Sequence, residues 1–455
     1  MNRMIRQIAL LAWSLVAMAP VFARAQALVI DGGTIHTMKG DAFVGRVVIE
    51  RGVITAVGAD AAVPAGATRI DASGLHVYPG MIDAMSTVGL DEVDAVAATN
   101  DMSEMGMYNP NLSTATAVHP ASEVIPVTRV SGITSALVVP GTERDGVIAG
   151  QAAIVNLDGW TETEMSVNNA AALVINWPGI VTRRFDFTTF TVKETPYNDA
   201  KDEATKKQNE LRDWIDAAKH YGAAVKAKGS RADINPKLAA LSQYVDGTKP
   251  VIIEADKKAD IEAAIAFADE MGLRMILAGG RDAWKMKDTL VAKKIPVILG
   301  RTQSLPGEDD DPYDKPYTNP GELCKAGIKI AFASGAGGGD GPDGPHGART
   351  LPYEAGQAAA FGLSEDDAMK ALTLWPAEIL GVDKQLGSIE AGKIADVIVT
   401  DGSPLALTTN VKHLVIAGHE VSLENKHLAL YDKYRARPMP LRAGNAQPTQ
   451  VKTAP

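Results

Sequence analysis

The chain contains one cysteine, Cys324, in 455 residues. No disulfide can close within it, so its stability must come from packing rather than from cross-links. Aromatic residues make up only 5%, and positive charge is in deficit, with 45 Lys and Arg against 55 Asp and Glu. That balance argues against nucleic acid as a partner. Charged residues reach only 22% while hydrophobic residues reach 46%, a composition too apolar for a disordered chain and ample for a large core. The N-terminal apolar run, Ile8 to Ala19, falls short of the roughly 20 residues a membrane-spanning helix needs.

That run has a different reading. Arg3 and Arg6 precede it, and Pro20 and then Ala23-Arg24-Ala25 follow it, the pattern of a secretory signal peptide with a small-residue cleavage site. Residues 1–25 are expected to be removed, which leaves a mature chain from Gln26 with no membrane attachment. Their three arginines go with them, leaving 42 basic against 55 acidic residues, a net charge of −13. With so little cysteine, the periplasm is the expected compartment.

What is present is abundant glycine (42 residues) and proline (25) punctuating short apolar runs. LVIDGGTIHTM, VVIERGVITAVGA and TRIDASGLHVYPGMID near the start, and GSIEAGKIADVIVTDGSP and VKHLVIAGHEV near the end, read as strands joined by tight turns. The two ends are expected to pair in one sheet. Between them GITSALVVP, AALVINWP, KPVIIEAD, LRMILAGG, IPVILG and IKIAFASG alternate with helical stretches at 199–228, 257–271, 282–293 and 364–380. Strands apolar throughout are buried on both faces, which fits a parallel sheet wrapped by helices and favours a (β/α)8 barrel over an open sheet.

Three segments, GLHVYPGMIDA at 74–84, HPASEVIPVTRVSGITSALVVPG at 119–141 and GSIEAGKIADVIVTDGSPL at 387–405, resemble the amidohydrolase superfamily, specifically its imidazolonepropionase-like group. The resemblance implies an α/β fold. A (β/α)8 TIM-like barrel would span 79–386, a composite N- and C-terminal β-sandwich would be built from 26–78 plus 387–430, and a polar tail would occupy 431–455. It also implies hydrolysis of C–N bonds, such as non-peptide or dipeptide-like amides, with one or two divalent metals. The metal lowers the pKa of its bound water and polarises the carbonyl while an Asp moves the proton.

The family's ligand positions hold other residues here. The H-x-H pair after the P-G-x-I-D motif is replaced by Met85 and Thr87, a soft thioether and a hydroxyl, both poor zinc ligands. Glu254 stands at the end of the fifth strand, and Gly279 stands where the sixth strand carries a His. Gly335 replaces the catalytic Asp of the eighth strand. The expectation is therefore no resident cofactor and a member that acts by binding a small molecule or as a scaffold, alone or paired with an intact relative. The alternative is an active hydrolase with a divalent metal such as zinc and a rearranged site drawn from Glu254, Asp256, Asp340 and His346; Asp343 could add to it. A ligand-binding protein without chemistry fits the same residues. The remaining histidines, His36, His76, His119, His220, His413, His419 and His427, read as surface or structural.

Overall fold

Glycine-punctuated runs at both ends of the chain form strands of one sheet in the computed structural model, which describes residues 27–93, 96–142, 146–186, 189–228, 234–336 and 344–438. The expected signal segment, Asp340 and Asp343 lie outside the described residues. The N-terminal strands are β1 (Leu28–Ile35), β2 (Phe43–Glu50), β3 (Val53–Gly58), β4 (Thr68–Asp71) and β5 (His76–Pro79).

The barrel strands follow: β6 (Met81–Ser86), β7 (Ile133–Val138), β8 (Ile148–Asn156) and β9 (Ser166–Asn176). A small separate hairpin, β10 (Arg183–Asp186) and β11 (Thr191–Glu194), interrupts the series. β12 (Pro250–Ala255), β13 (Arg274–Gly279), β14 (Val297–Leu299) and β15 (Ile330–Phe332) complete it. β16 (Val397–Thr400), β17 (Val411–Ile416) and β18 (His419–Glu420) return to the first sheet, whose order is β18-β17-β16-β5-β1-β2-β3 with β4 beside β1.

The seam between the chain's two ends is the antiparallel pairing of β16 with β5, Val397 opposite Pro79 and Thr400 opposite His76. Buried Asp396 ties this sheet to the barrel. Its carboxylate accepts from the Ser135 hydroxyl of β7 at 3.0 Å and from the Ala417 N–H at 2.8 Å. The K-I-A-D-V-I-V stretch thus places a bonded carboxylate where the chain leaves the barrel.

The barrel sheet runs β15-β14-β13-β12-β9-β8-β7-β6. It departs from the expected all-parallel arrangement at β8, which is antiparallel to both β7 and β9. The connection from β7, residues 139–147, is shorter than the dozen or so residues a parallel crossover needs, so the chain must turn back. β6 and β15 close the ring through the Gly335 N–H, which donates to the Met85 carbonyl at 2.8 Å. Inside lie Ile82, Leu137, Ile154, Val174, Ile252, Ile276, Ile298 and Ala331, which fill the ring as a packed core.

The helices follow their periodicity. In Tyr197–Lys228 the buried residues Ala200, Ala204, Leu211, Ile215 and Ala218 recur on one stripe while Lys201, Asp202, Thr205 and Lys206 are exposed on the other side. Lys258–Met271 buries Ile261, Ala264, Ile265, Ala268 and Met271 and stops at Gly272, whose left-handed backbone caps it. The stretch expected as one helix over 364–380 is two, Glu365–Leu372 and Leu374–Ile379, broken at Thr373. The start of the expected polar tail is instead helical, within Lys426–Arg435 and capped by Asn425. No helix among the described residues is long and apolar enough to cross a membrane.

Candidate functional site

The C-terminal ends of the seven barrel strands other than the antiparallel β8 lie at one mouth, the face on which this architecture carries its sites. On β6, Asp83 is wholly buried below it. Its Oδ2 accepts from the Ser334 hydroxyl at 2.6 Å, and its Oδ1 from the N–H groups of Ser334 at 3.0 Å and Met85 at 3.3 Å. Burial raises its pKa from the ordinary 3.8 to about 6, with the Ser334, Met85 and Ser86 hydrogen bonds opposing the rise. The fold therefore favours the protonated form: the group's contribution to stability is complete below about pH 4 and is lost as the pH climbs through 6. Asp83 stitches the β6–β15 seam.

Met85 is buried within the inner cluster and Thr87 is half-buried just past the strand end. Glu254 continues the inward row of Ile252 on β12 and is half-buried. Gly279 adopts φ +84, and a Cβ built there would fall 2.7 Å from the Asp256 Oδ1, so a side chain at this position is both strained and obstructed. Gly335 differs: its backbone lies outside the left-handed region, and the nearest atom to a built Cβ is the Met85 carbonyl oxygen at 3.2 Å.

Beside these positions lies a cavity of about 250 Å³ lined by Asp256, Gly279, Arg281, Leu299, Gly300, Arg301, Thr302, Ser304, Pro316, Asn319, Pro320, Ser334 and Ala336. The sequence reading brought Asp256, Gly279 and the eighth-strand end to this mouth. It missed the two arginines, although a signal is visible: β13 and β14 are each followed by Gly-Arg, at Gly280-Arg281 and Gly300-Arg301.

Both turns are pinned. The Asp256 Oδ1 accepts from the Arg281 N–H at 3.2 Å, and the Asn319 amide donates to the Gly280 carbonyl at 3.1 Å. Behind the second turn, the buried Glu354 Oε2 accepts from the N–H groups of Thr302 at 2.8 Å and Gln303 at 2.9 Å and from the Thr302 hydroxyl at 2.6 Å.

His346 is exposed on the helical turn Gly344–Thr350, near the Arg349–His427 pair, and does not line the cavity; neither does Glu254. Among the described residues no three His, Cys, Asp or Glu side chains come together as a metal-binding group. Several of the other histidines have side-chain partners away from this mouth. His36 bonds His76 at 3.0 Å and stacks on Tyr78, His220 meets the Asp216 carbonyl at 2.7 Å, and His413 pairs with Glu420 at 2.7 Å.

Comparison with known proteins agrees with this architecture. Residues 317–421 match the family model described as "Amidohydrolase family". The amidohydrolase tasK of Hapsidospora irregularis is 25% identical over 404 residues, or 80% of this chain, and the chain spans only 38% of that protein's length. The crystal structure of an amidohydrolase from Thermotoga maritima MSB8 superposes with a TM-score of 0.73 at 25% identity, covering 87% of this chain and 99% of that one. A molinate hydrolase shares the fold, with a TM-score of 0.54 at 17% identity over 93% of this chain and all of its own.

Proposed function

Because the chain belongs to the amidohydrolase superfamily, we propose that it is an exported member whose metal centre has been dismantled and whose barrel mouth is kept as a small-molecule binding site, working alone or beside a metal-bearing relative. The donor set supports the loss. A thioether at Met85, a hydroxyl at Thr87, two glycines and one carboxylate at Glu254 offer a single anionic donor where a catalytic zinc takes three protein ligands. These residues do not fit such an ion. The observation that carries the reading is Gly279: its left-handed backbone strains any side chain, and a Cβ there would meet the Asp256 carboxylate at 2.7 Å, against the imidazole the resemblance would put there. The export part rests on the charge and apolar pattern of residues 1–25.

The test is a turnover screen of the purified protein against amide, lactam and dipeptide substrates, with and without added Zn²⁺ or Mn²⁺. The expected result is no metal-dependent hydrolysis above the uncatalysed background. Robust metal-dependent turnover by the unmodified protein would overturn the proposal.

A further inference from the structure

The hairpin of β10 and β11 stands apart from both large sheets. It is inserted between the C-terminal end of β9 and the helix Tyr197–Lys228, so it belongs to the mouth side of the barrel. Two strands of four residues are marginal in water without a third strand or a packed face. β11 has neither among the described residues: Thr191, Val192, Lys193 and Glu194 are all exposed, and β10 is its only neighbour.

One face of the hairpin is apolar. Phe185 lies opposite Val192 and meets Phe190 edge-on, and the three are 41%, 50% and 78% exposed. On the other face Lys193 is held by Asp186 at 2.5 Å, so the lysine that would ordinarily guard an open edge is engaged within its own hairpin.

The backbone sets what this edge can accept. The Thr195 N–H donates to the Thr182 carbonyl at 2.8 Å, which makes these two residues a hydrogen-bonded pair. Such bonds alternate along an antiparallel ladder, so the N–H and C=O of Val192 point away from β10 to the open edge. With a second copy of β11 on that edge and the two-fold axis on Val192, the two Val192 residues bond each other reciprocally and Lys193 stands opposite the partner's Thr191. One face of the four-stranded sheet then carries an unbroken apolar row of Phe185, Val192, the partner's Val192 and the partner's Phe185. Axes on Lys193 or Glu194 would set like charges opposite each other, which disfavours them.

Charge also favours this edge for self-association. Arg183, Arg184 and Lys193 stand against Asp186 and Glu194, on a chain whose net charge is −10. Two hairpins therefore meet without the repulsion that the acid excess of the remaining chain imposes.

We propose that the chain self-associates through this edge, two copies pairing β11 antiparallel about Val192. The proposal goes beyond the metal-loss reading and does not depend on it. Four-residue strands give an interface at the small end of the range, so the dimer is weak, with a dissociation constant on the order of 10–100 µM.

Sedimentation velocity of the full chain, from low micromolar to several hundred micromolar, is expected to show monomer giving way to dimer. Val192→Glu, shown folded by circular dichroism, puts two like charges on the axis and is expected to raise the dissociation constant by roughly tenfold or more. Val192→Cys tests the register. Bonded residues on the axis have Cα atoms about 5.5 Å apart, within disulfide reach, whereas the two Thr191 residues are offset along the strands to about 8 Å, beyond it. Under mild oxidation Val192→Cys is expected to give a covalent dimer and Thr191→Cys none, with the wild type, which has Cys324 alone, as the control. A wild type that is monomeric at every concentration, a Val192→Glu protein that associates like the wild type, or equal cross-linking of the two cysteine variants overturns the proposal.

Discussion

Gly279→His is expected to destabilise the protein by on the order of 3 kcal/mol, while Gly335→Asp is expected to leave its unfolding midpoint close to that of the parent. A left-handed φ costs a residue with a side chain about 1–2 kcal/mol, and forcing a ring against the Asp256 carboxylate adds overpacking strain of about 1–3 kcal/mol. That carboxylate cannot swing away without releasing the Arg281 N–H. At Gly335 a carbonyl at 3.2 Å need only give by a few tenths of an ångström.

Denaturant unfolding of the two variants measures the difference. The same asymmetry governs repair of the site. Met85→His with Thr87→His and Gly335→Asp should raise metal affinity before any activity returns, because the side of the mouth at Gly279 still has no donor. A Gly279→His protein that unfolds like the parent, and that holds zinc when combined with those three changes, contradicts the account.

The second large effect concerns the chain's ends. Truncation after residue 386 is expected to unfold residues 27–78 along with the segment removed. It deletes β16, which pairs with β5, together with β17 and β18, and with them Val397, Val399 and Val415 from the sheet core and Ile398, Leu414 and Ile416 from the core it shares with the barrel. At about 1.5–3 kcal/mol for each large buried side chain, the loss matches or exceeds a typical total stability of about 5–15 kcal/mol. Asp396 is also lost, leaving the Ser135 hydroxyl of β7 with Asn156 alone of its two acceptors. Limited proteolysis should cut residues 27–78 of the truncated protein rapidly. Protection equal to that in the full chain would show that the N-terminal strands hold without their C-terminal partners.

The barrel was legible where its strands were continuous β-branched runs, as at Val251-Ile252-Ile253 and Met275-Ile276-Leu277, and where the helix stripes were regular. β8 escaped notice because its sequence, IAGQAAIVN, mixes glycine, glutamine and alanine and reads as a loop. Only the structure reveals why they are there: the Gln151 amide donates to the Pro110 carbonyl at 3.0 Å, Tyr244 donates to its oxygen at 3.1 Å, and Gly150 packs against Leu112.

The sequence placed Met85, Glu254, Gly279 and Gly335 at or beside the strand ends, where the structure also has them. The Arg281 and Arg301 turns beside them were not legible, because they owe their placement to Asn319 and Glu354, which come from helices distant in sequence and carry no motif of their own. The arginines themselves could have been found from the repeated Gly-Arg after two successive strands.

The measurement that bears most directly on the loss of the metal centre is elemental analysis of the protein purified from zinc- and manganese-supplemented medium and dialysed against chelator at neutral pH. With Met85, Thr87, Gly279 and Gly335 where the resemblance implies ligands and a proton carrier, the account predicts well under one equivalent of zinc, manganese or iron per chain. One tightly held metal ion per chain, surviving the chelator, would contradict it.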